Sequence, residues 1–458
     1  MSDAQEFSAK IRSLARLACP VAALLPGLAQ ACALPPSVLL TLPTDTYITA
    51  AALTVALTAV LGALSGRLPD FTARKLAEFR PGALTTVTSY LSFLAFLGLV
   101  LVGLLGNRDP MHNLMTLVFW TGVWIALPLA SMLLGNLWAL VTPWTGPVRI
   151  ARALLRREGG IGLARFGHWP AVLGLAGFAW FQSVSLYPDD PAVLAKAALA
   201  YWAMIFVLAV LDGEDFLQRG EFLTVLFTMI SRVSPVWVER QGDMARLCAG
   251  FPGAQVLRMA PLSPSAVVFV TLALAALTFD GLMETFWWLA LIGENPLEPA
   301  GRSAVMMANT LGLLAVWVAT MALILGVIRA GRLAAGPVAL SFLAIAAGYH
   351  AAHYLVMLLT AGQYTLAALN DPLFSGESWL GLPPFYVSFG FLTDPRIMPL
   401  IYAFQFTAIL AAHLLAVVLA LRLAGGGAAR LRAHLPLTGL MVLYTILGLW
   451  LLSTARAG

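Results

Sequence analysis

Charged residues are scarce in this chain. Asp, Glu, Lys and Arg make up 11% of its 458 residues, where a soluble globular chain carries about 25%. With 60% hydrophobic residues, that shortage excludes an ordinary soluble domain. Cysteine is nearly absent too. Cys19, Cys32 and Cys248 form no CxxC or CxxCH pattern, which argues against a disulfide framework, a thiolate zinc site and covalent haem attachment. No P-loop, GxSxG or HExxH occurs, so serine-based hydrolysis and ATP-driven transport within this chain are disfavoured. The net charge of +5 comes from basic residues in short loops, not interleaved with aromatics, and nucleic acid is rejected as a partner.

What the chain has instead is long apolar blocks, each near the ~20 residues needed to cross ~30 Å of hydrocarbon. The first, Leu14–Leu34, follows Lys10, Arg12 and Arg16 and contains Pro20 and Pro26. With two A-x-A patterns near its end, residues 1–34 read as a cleaved signal peptide or a first transmembrane helix. Residues 35–458 read as one multi-span membrane domain. Its expected spans are Thr46–Ser65, Leu84–Leu105, His112–Val141, Trp169–Leu186, Ala192–Leu211, Pro264–Ile292, Ala304–Ile328, Pro337–Ala361, Met398–Leu421 and Leu435–Ser453. Pro128 is expected to kink the long third one, unless that span tilts. The fold class is therefore all-α, a polytopic transmembrane helical bundle of about eleven spans.

Lys and Arg sort by side. On this count twenty-two of the 27 fall on one face and five on the other, which by the positive-inside rule predicts N-in, C-out in a bacterial inner membrane. A cytoplasmic loop is expected at 212–263, with an apolar run at Phe222–Ile230 too short to span, which lies in the interface or re-enters. A periplasmic loop rich in Gly, Pro and aromatics is expected at 362–397, where a lid and a merely decorative loop are both open.

Ionisable groups inside spans are costly and point to function. Five stand out: Asp280, Glu284, His350, His353 and His413. Asp280 and Glu284 share a helix face by their spacing of four, and so do His350 and His353 by theirs of three. Helical rise puts Asp280 about 24 Å and His353 about 22 Å above the inner boundary, so the two can meet in the outer half of the bilayer. His413 lies one to two turns deeper, joining the site or extending a polar path inward. These residues suit a divalent metal, zinc or iron, held by Asp280, His350, His353 and His413. They equally suit a proton or ion relay in a transporter. Bis-histidine haem and simple helix pairing are further options. Glu284, followed by Trp287 and Trp288, also fits an outer interfacial belt. Gln182, Asn136, Asn309 and Gln405 read as helix–helix glue.

Several short segments resemble the polytopic membrane proteins of the fenitrothion hydrolase family. They are Leu134-Gly-Asn-Leu-Trp-Ala-Leu-Val-Thr-Pro-Trp144, Thr278-Phe-Asp-Gly-Leu282, Ala352-His-Tyr354 with Gly362-Gln363, Asn370-Asp-Pro-Leu373, and Ala412-His413. The resemblance extends from about His112 to His413 and covers Asp280, His353 and His413 but not His350. It implies metal-assisted hydrolysis of a lipophilic, organophosphate-like ester, with Asp280 and His353 catalytic. Beside it stand a proton- or ion-coupled transporter and a non-catalytic assembly protein. The partners expected are the lipid bilayer and a small lipophilic substrate or ion.

Overall fold

The computed structural model describes residues 44–65, 68–80, 84–242, 244–298, 301–381, 383, 386–424 and 428–454. The first apolar block, with Cys19 and Cys32, lies outside them. Nine helices among the described residues are long and apolar enough to cross a membrane. The protein is a multi-pass membrane protein of helical-bundle type.

In chain order α1 is Thr44–Ser65, β1 is Ala73–Phe79 and α2 is Leu84–Leu105. The next crossing, α3, runs over Leu114–Leu134. α4 (Thr145–Leu154), α5 (Trp169–Ser183) and α6 (Pro191–Asp212) follow. Then come α7 (Phe222–Ile230) and the hairpin β2 (Val236–Gln241) and β3 (Met244–Gly250). The last elements are α8 (Pro264–Leu282), α9 (Phe286–Leu291), α10 (Arg302–Ala330), α11 (Ala335–His353), α12 (Leu355–Asn370), α13 (Met398–Ala424) and α14 (Ala428–Ser453).

Helix is what a chain in hydrocarbon must form, because only a helix satisfies every backbone group within one segment. Burial differs sharply between helices. α8 and α11 are buried over 72% of their apolar windows, whereas α2 is buried over 17%. α8 and α11 therefore form the protein-facing centre of the bundle, and α2 presents most of its surface outward.

Three expected spans are broken. The long third one ends at Leu134, where Gly135 takes a φ of +87°, and a separate short helix covers Trp138–Val141. Within α3, residues Val118–Ala126 wind as a π-helix just before Pro128. Proline lacks an N–H and crowds the preceding turn, and a widened turn accommodates that defect. The span expected over Pro264–Ile292 stops at Leu282. Thr285 then turns extended and its Oγ1 caps the Trp288 amide to start α9. The span expected over Pro337–Ala361 breaks at Tyr354, whose φ of −92° and ψ of 3° leave the helical range. α12 then continues to Asn370, so the first nine residues assigned to the 362–397 loop are helical.

Two features lie outside a simple bundle of spanning helices. β1, β3 and β2 form a three-stranded antiparallel sheet in that order, with Ala73 opposite Gly250 and Val236 opposite Ala249. Trp237, Cys248 and Ala254 are buried beneath it, with Phe71 packed alongside. The sheet joins the two loops that the charge distribution assigns to one side. The other feature is α7. Its Phe222 stacks on Phe178 in the middle of α5, with ring centroids 5.2 Å apart, and the Tyr201 hydroxyl of α6 donates to Glu221 Oε1 at 2.9 Å. The apolar run Phe222–Ile230 thus re-enters the bundle. Fully buried Glu221 caps it, accepting from the amides of Leu223 and Thr224.

Candidate functional site

α5 ends beside α8. His168 N donates to Ser265 Oγ at one end of the pair, and Gln182 Nε2 reaches Asp280 at the other. The Arg302 side chain, at the start of α10, donates to the carbonyls of Gln182, Ser183 and Ser185. A cation there satisfies the unpaired carbonyls of a helix C-terminus and fixes where α5 stops. Gln182 is thereby held one residue from its helix end, facing the last turn of α8.

Asp280 is the hub of the site. Its Oδ1 accepts from Gln182 Nε2 at 3.1 Å. Its Oδ2 accepts from the Tyr354 hydroxyl at 2.8 Å and bonds His353 Nε2 at 2.9 Å. Gln182 Nε2 also lies 3.0 Å from the Tyr354 hydroxyl. The Asp280 and His353 side chains are 13% and 6% exposed, so this is a largely buried network in which a carboxylate gathers three donors. His353 and Tyr354 straddle the α11–α12 break, and Asp280 sits two residues before the end of α8. The helix breaks thus bring these groups to one point.

Gly281 makes room for this packing. A Cβ there would fall 2.4 Å from the Tyr349 hydroxyl oxygen and 3.5 Å from His353 Cε1. Tyr349 stacks on His353 nearly parallel, at 12° and 5.5 Å. With Nε2 engaged by Asp280, His353 Nδ1 has no hydrogen-bond partner among the described residues. A carboxylate holding one ring nitrogen fixes the imidazole's orientation and leaves the other nitrogen for a proton or a ligand.

The remaining expected site residues sit apart from this network. His350 packs edge-on against Trp124 and Tyr354, at 5.7 and 4.7 Å. Its Nε2 is unpartnered among the described residues. His413 gives its Nδ1 to the Ile409 carbonyl at 2.8 Å. Its Nε2 is likewise unpartnered, and the ring lines a chamber of about 10 Å³ with Thr278, Tyr349 and Tyr444. That chamber lies one helical turn from the hub, because Tyr349 precedes His353 by four residues. Glu284 falls in the turn after α8, so the helix face it was expected to share with Asp280 does not reach it. Of the two tryptophans expected in an outer belt, Trp287 is exposed, but Trp288 is buried with its indole N–H on Asn309.

Among the described residues no three His, Cys, Asp or Glu side chains stand where one metal ion could take them all. Asp280, His350, His353 and His413 do not fit a shared metal centre. Two residues complete the hub: Gln182, which reads from the sequence as helix–helix glue, and Tyr354, to which the sequence assigns no role. The adjacency of Tyr354 to His353 is the signal that could have marked one of them. Comparison with protein-family models, with curated proteins and with solved structures finds no match.

Outside the spans, Asp190 anchors the loop before α6. Burial works to raise its carboxyl, yet the Val193 and Ala192 amides and the Arg108 guanidinium hold it below the ordinary carboxylate value. Burial pushes the neighbouring Asp189 up, opposed only by Arg302.

Proposed function

We propose that this protein is a proton-coupled membrane carrier whose proton-binding site is the Asp280–His353 pair. The observation that carries this reading is the Asp280 hub: a buried carboxylate bonded to an imidazole, where the breaks in α8 and α11 meet. Intramembrane carboxylate–histidine pairs serve as proton relays, and broken helices at such depth commonly line transport sites. A proton shared between Asp280 Oδ2 and His353 Nε2 can pass across a 2.9 Å bond. His413 and its small chamber lie on the inward side and extend the polar track.

Chain parity supports the arrangement in the membrane. β1 and β3 can pair only if an even number of crossings separates them. α2, α3 and α6 supply three, and α5, running beside α8 from Ser265 to Asp280, supplies the fourth despite its 15 residues. With the first apolar block as a helix, this gives eleven crossings. The basic loops and the sheet then face the cytoplasm, in a bacterial inner membrane.

The test is proton flux into proteoliposomes, read with an entrapped pH dye under an imposed potential. Wild-type flux should exceed that of Asp280→Asn and His353→Gln several-fold. Equal flux in all three would overturn the reading. The hydrolytic alternative rests on the likeness to fenitrothion hydrolase proteins and on the carboxylate-oriented imidazole. It requires turnover of an aryl phosphotriester with added zinc, manganese or cobalt, lost in His353→Ala.

A further inference from the structure

A cavity of about 710 Å³ lies between α2, α3, α5, α6 and the start of α7. Its size falls in the range of small-molecule sites. No Asp, Glu, Lys, Arg or His lines it. Three tryptophans do, and their indole N–H groups are already spent: Trp138 on Thr224 Oγ1, Trp144 on the Trp202 carbonyl, Trp202 on the Pro143 carbonyl. The Tyr201 hydroxyl is likewise engaged, by Glu221 and the Phe222 amide. Ser92 is the other hydroxyl on the wall.

The shape of the cavity narrows the choice of occupant. Its lining follows α6 from Leu194 to Leu208, a length of about 21 Å at helical rise. It is long, apolar and without a counter-ion for a charged head. We propose that it binds the single hydrocarbon chain of an uncharged, lipid-like substrate, lying lengthwise along α6 and entering from the bilayer. That occupant is a cargo only if the carrier reading holds, but its binding does not depend on Asp280.

The cavity also has a mechanical link to the hub. Phe178 lines it, and Gln182, one turn further along α5, bonds Asp280 and Tyr354. Residues four apart share a helix face, so a chain that pushes Phe178 moves the group holding Asp280.

The probe is 9,10-dibromostearyl alcohol, whose bromines quench the lining tryptophans, titrated into detergent-purified protein. Gly177 lines the cavity and a Cβ there meets nothing within 4 Å, so Gly177→Leu fills the space without a clash. Ala198→Leu fills it from the opposite wall and serves if the first variant fails to fold. Wild type should show saturable quenching, and each filled variant at least 10-fold weaker binding with an unchanged or raised melting temperature. Asp280→Asn should bind within about threefold of wild type, which separates this site from the proton site. Non-saturable quenching, equal binding in the filled variants, or equally saturable quenching by dibromo-phosphatidylcholine would overturn the proposal. The last result would mark a resident phospholipid.

Discussion

Removing the Asp280 carboxylate should cost stability in a way that depends on what replaces it. Asp280→Ala leaves the Gln182 amide, the Tyr354 hydroxyl and His353 Nε2 without their acceptor. A buried donor left unsatisfied costs about 1–3 kcal/mol. Gln182 Nε2 keeps the Tyr354 oxygen as an acceptor, whereas a tautomer change at His353 only moves its N–H to the unpartnered Nδ1, so two effective losses are expected, about 2–6 kcal/mol. Asp280→Asn keeps one oxygen for Tyr354 and His353 and sets its new N–H₂ against the Gln182 amide. Turning the Gln182 amide over relieves that clash at the expense of roughly one hydrogen bond, about 1–2 kcal/mol. The order of stability is therefore wild type, then Asn, then Ala, with the wider gap at Ala. Thermal unfolding in one detergent, followed by near-ultraviolet circular dichroism, reads that order. If Asp280→Ala melted with or above Asp280→Asn, the carboxylate would not be the acceptor that organises the site.

Asp190→Ala should remove the cap on the first two amides of α6, lowering stability by about 1 kcal/mol. Because the folded carboxyl is held below its unfolded value of about 3.9, this contribution is complete above that pH and is lost as pH falls through the folded value. Melting temperatures of wild type and Asp190→Ala should therefore differ at pH 6 and draw together as the pH falls below the unfolded carboxylate value; a constant gap would contradict the assignment. Gly135→Ala should destabilise by about 1–3 kcal/mol, the penalty of a side chain at a φ of 87° and ψ of −175°, a backbone region essentially confined to glycine. Its new Cβ would also stand 3.0 Å from the Val236 carbonyl oxygen, so a variant that melts like wild type would show that the α3 end does not need this geometry.

The membrane class and most helices were legible because hydrophobic runs of this length have no other stable home. The Asp280–His353 meeting was legible as well, since helical rise placed both at one depth. Less accessible were the breaks. Thr285 as a cap and Tyr354 as a kink sit inside runs whose hydropathy never falls, so nothing in an apolar count marks them. Asp280 and Glu284 were paired by a periodicity that ends at Leu282. The four proposed metal ligands were grouped by depth along separate helices, and depth says nothing of rotation about each axis, which turns His350 toward Trp124 and gives His413 Nδ1 to its own helix. Gln182 was read as glue because a neutral amide carries no charge penalty to reveal it. β1, with the sequence Ala-Arg-Lys-Leu-Ala-Glu-Phe, looks like a polar connector until its partner, more than 160 residues later, is known.

That separation has a consequence for how the protein is made. β1 emerges from the ribosome after α1, and its partner β3 follows only when four further hydrophobic helices, α7 and β2 have been synthesised. At 5–20 residues per second the first strand waits roughly 10–30 s with its edge unpaired. Its Arg74, Lys75 and Glu78 suit that interval, since charged side chains discourage an open edge from pairing elsewhere. On the crossings proposed above, a first half threaded with an odd number of insertions would leave that edge unsealed.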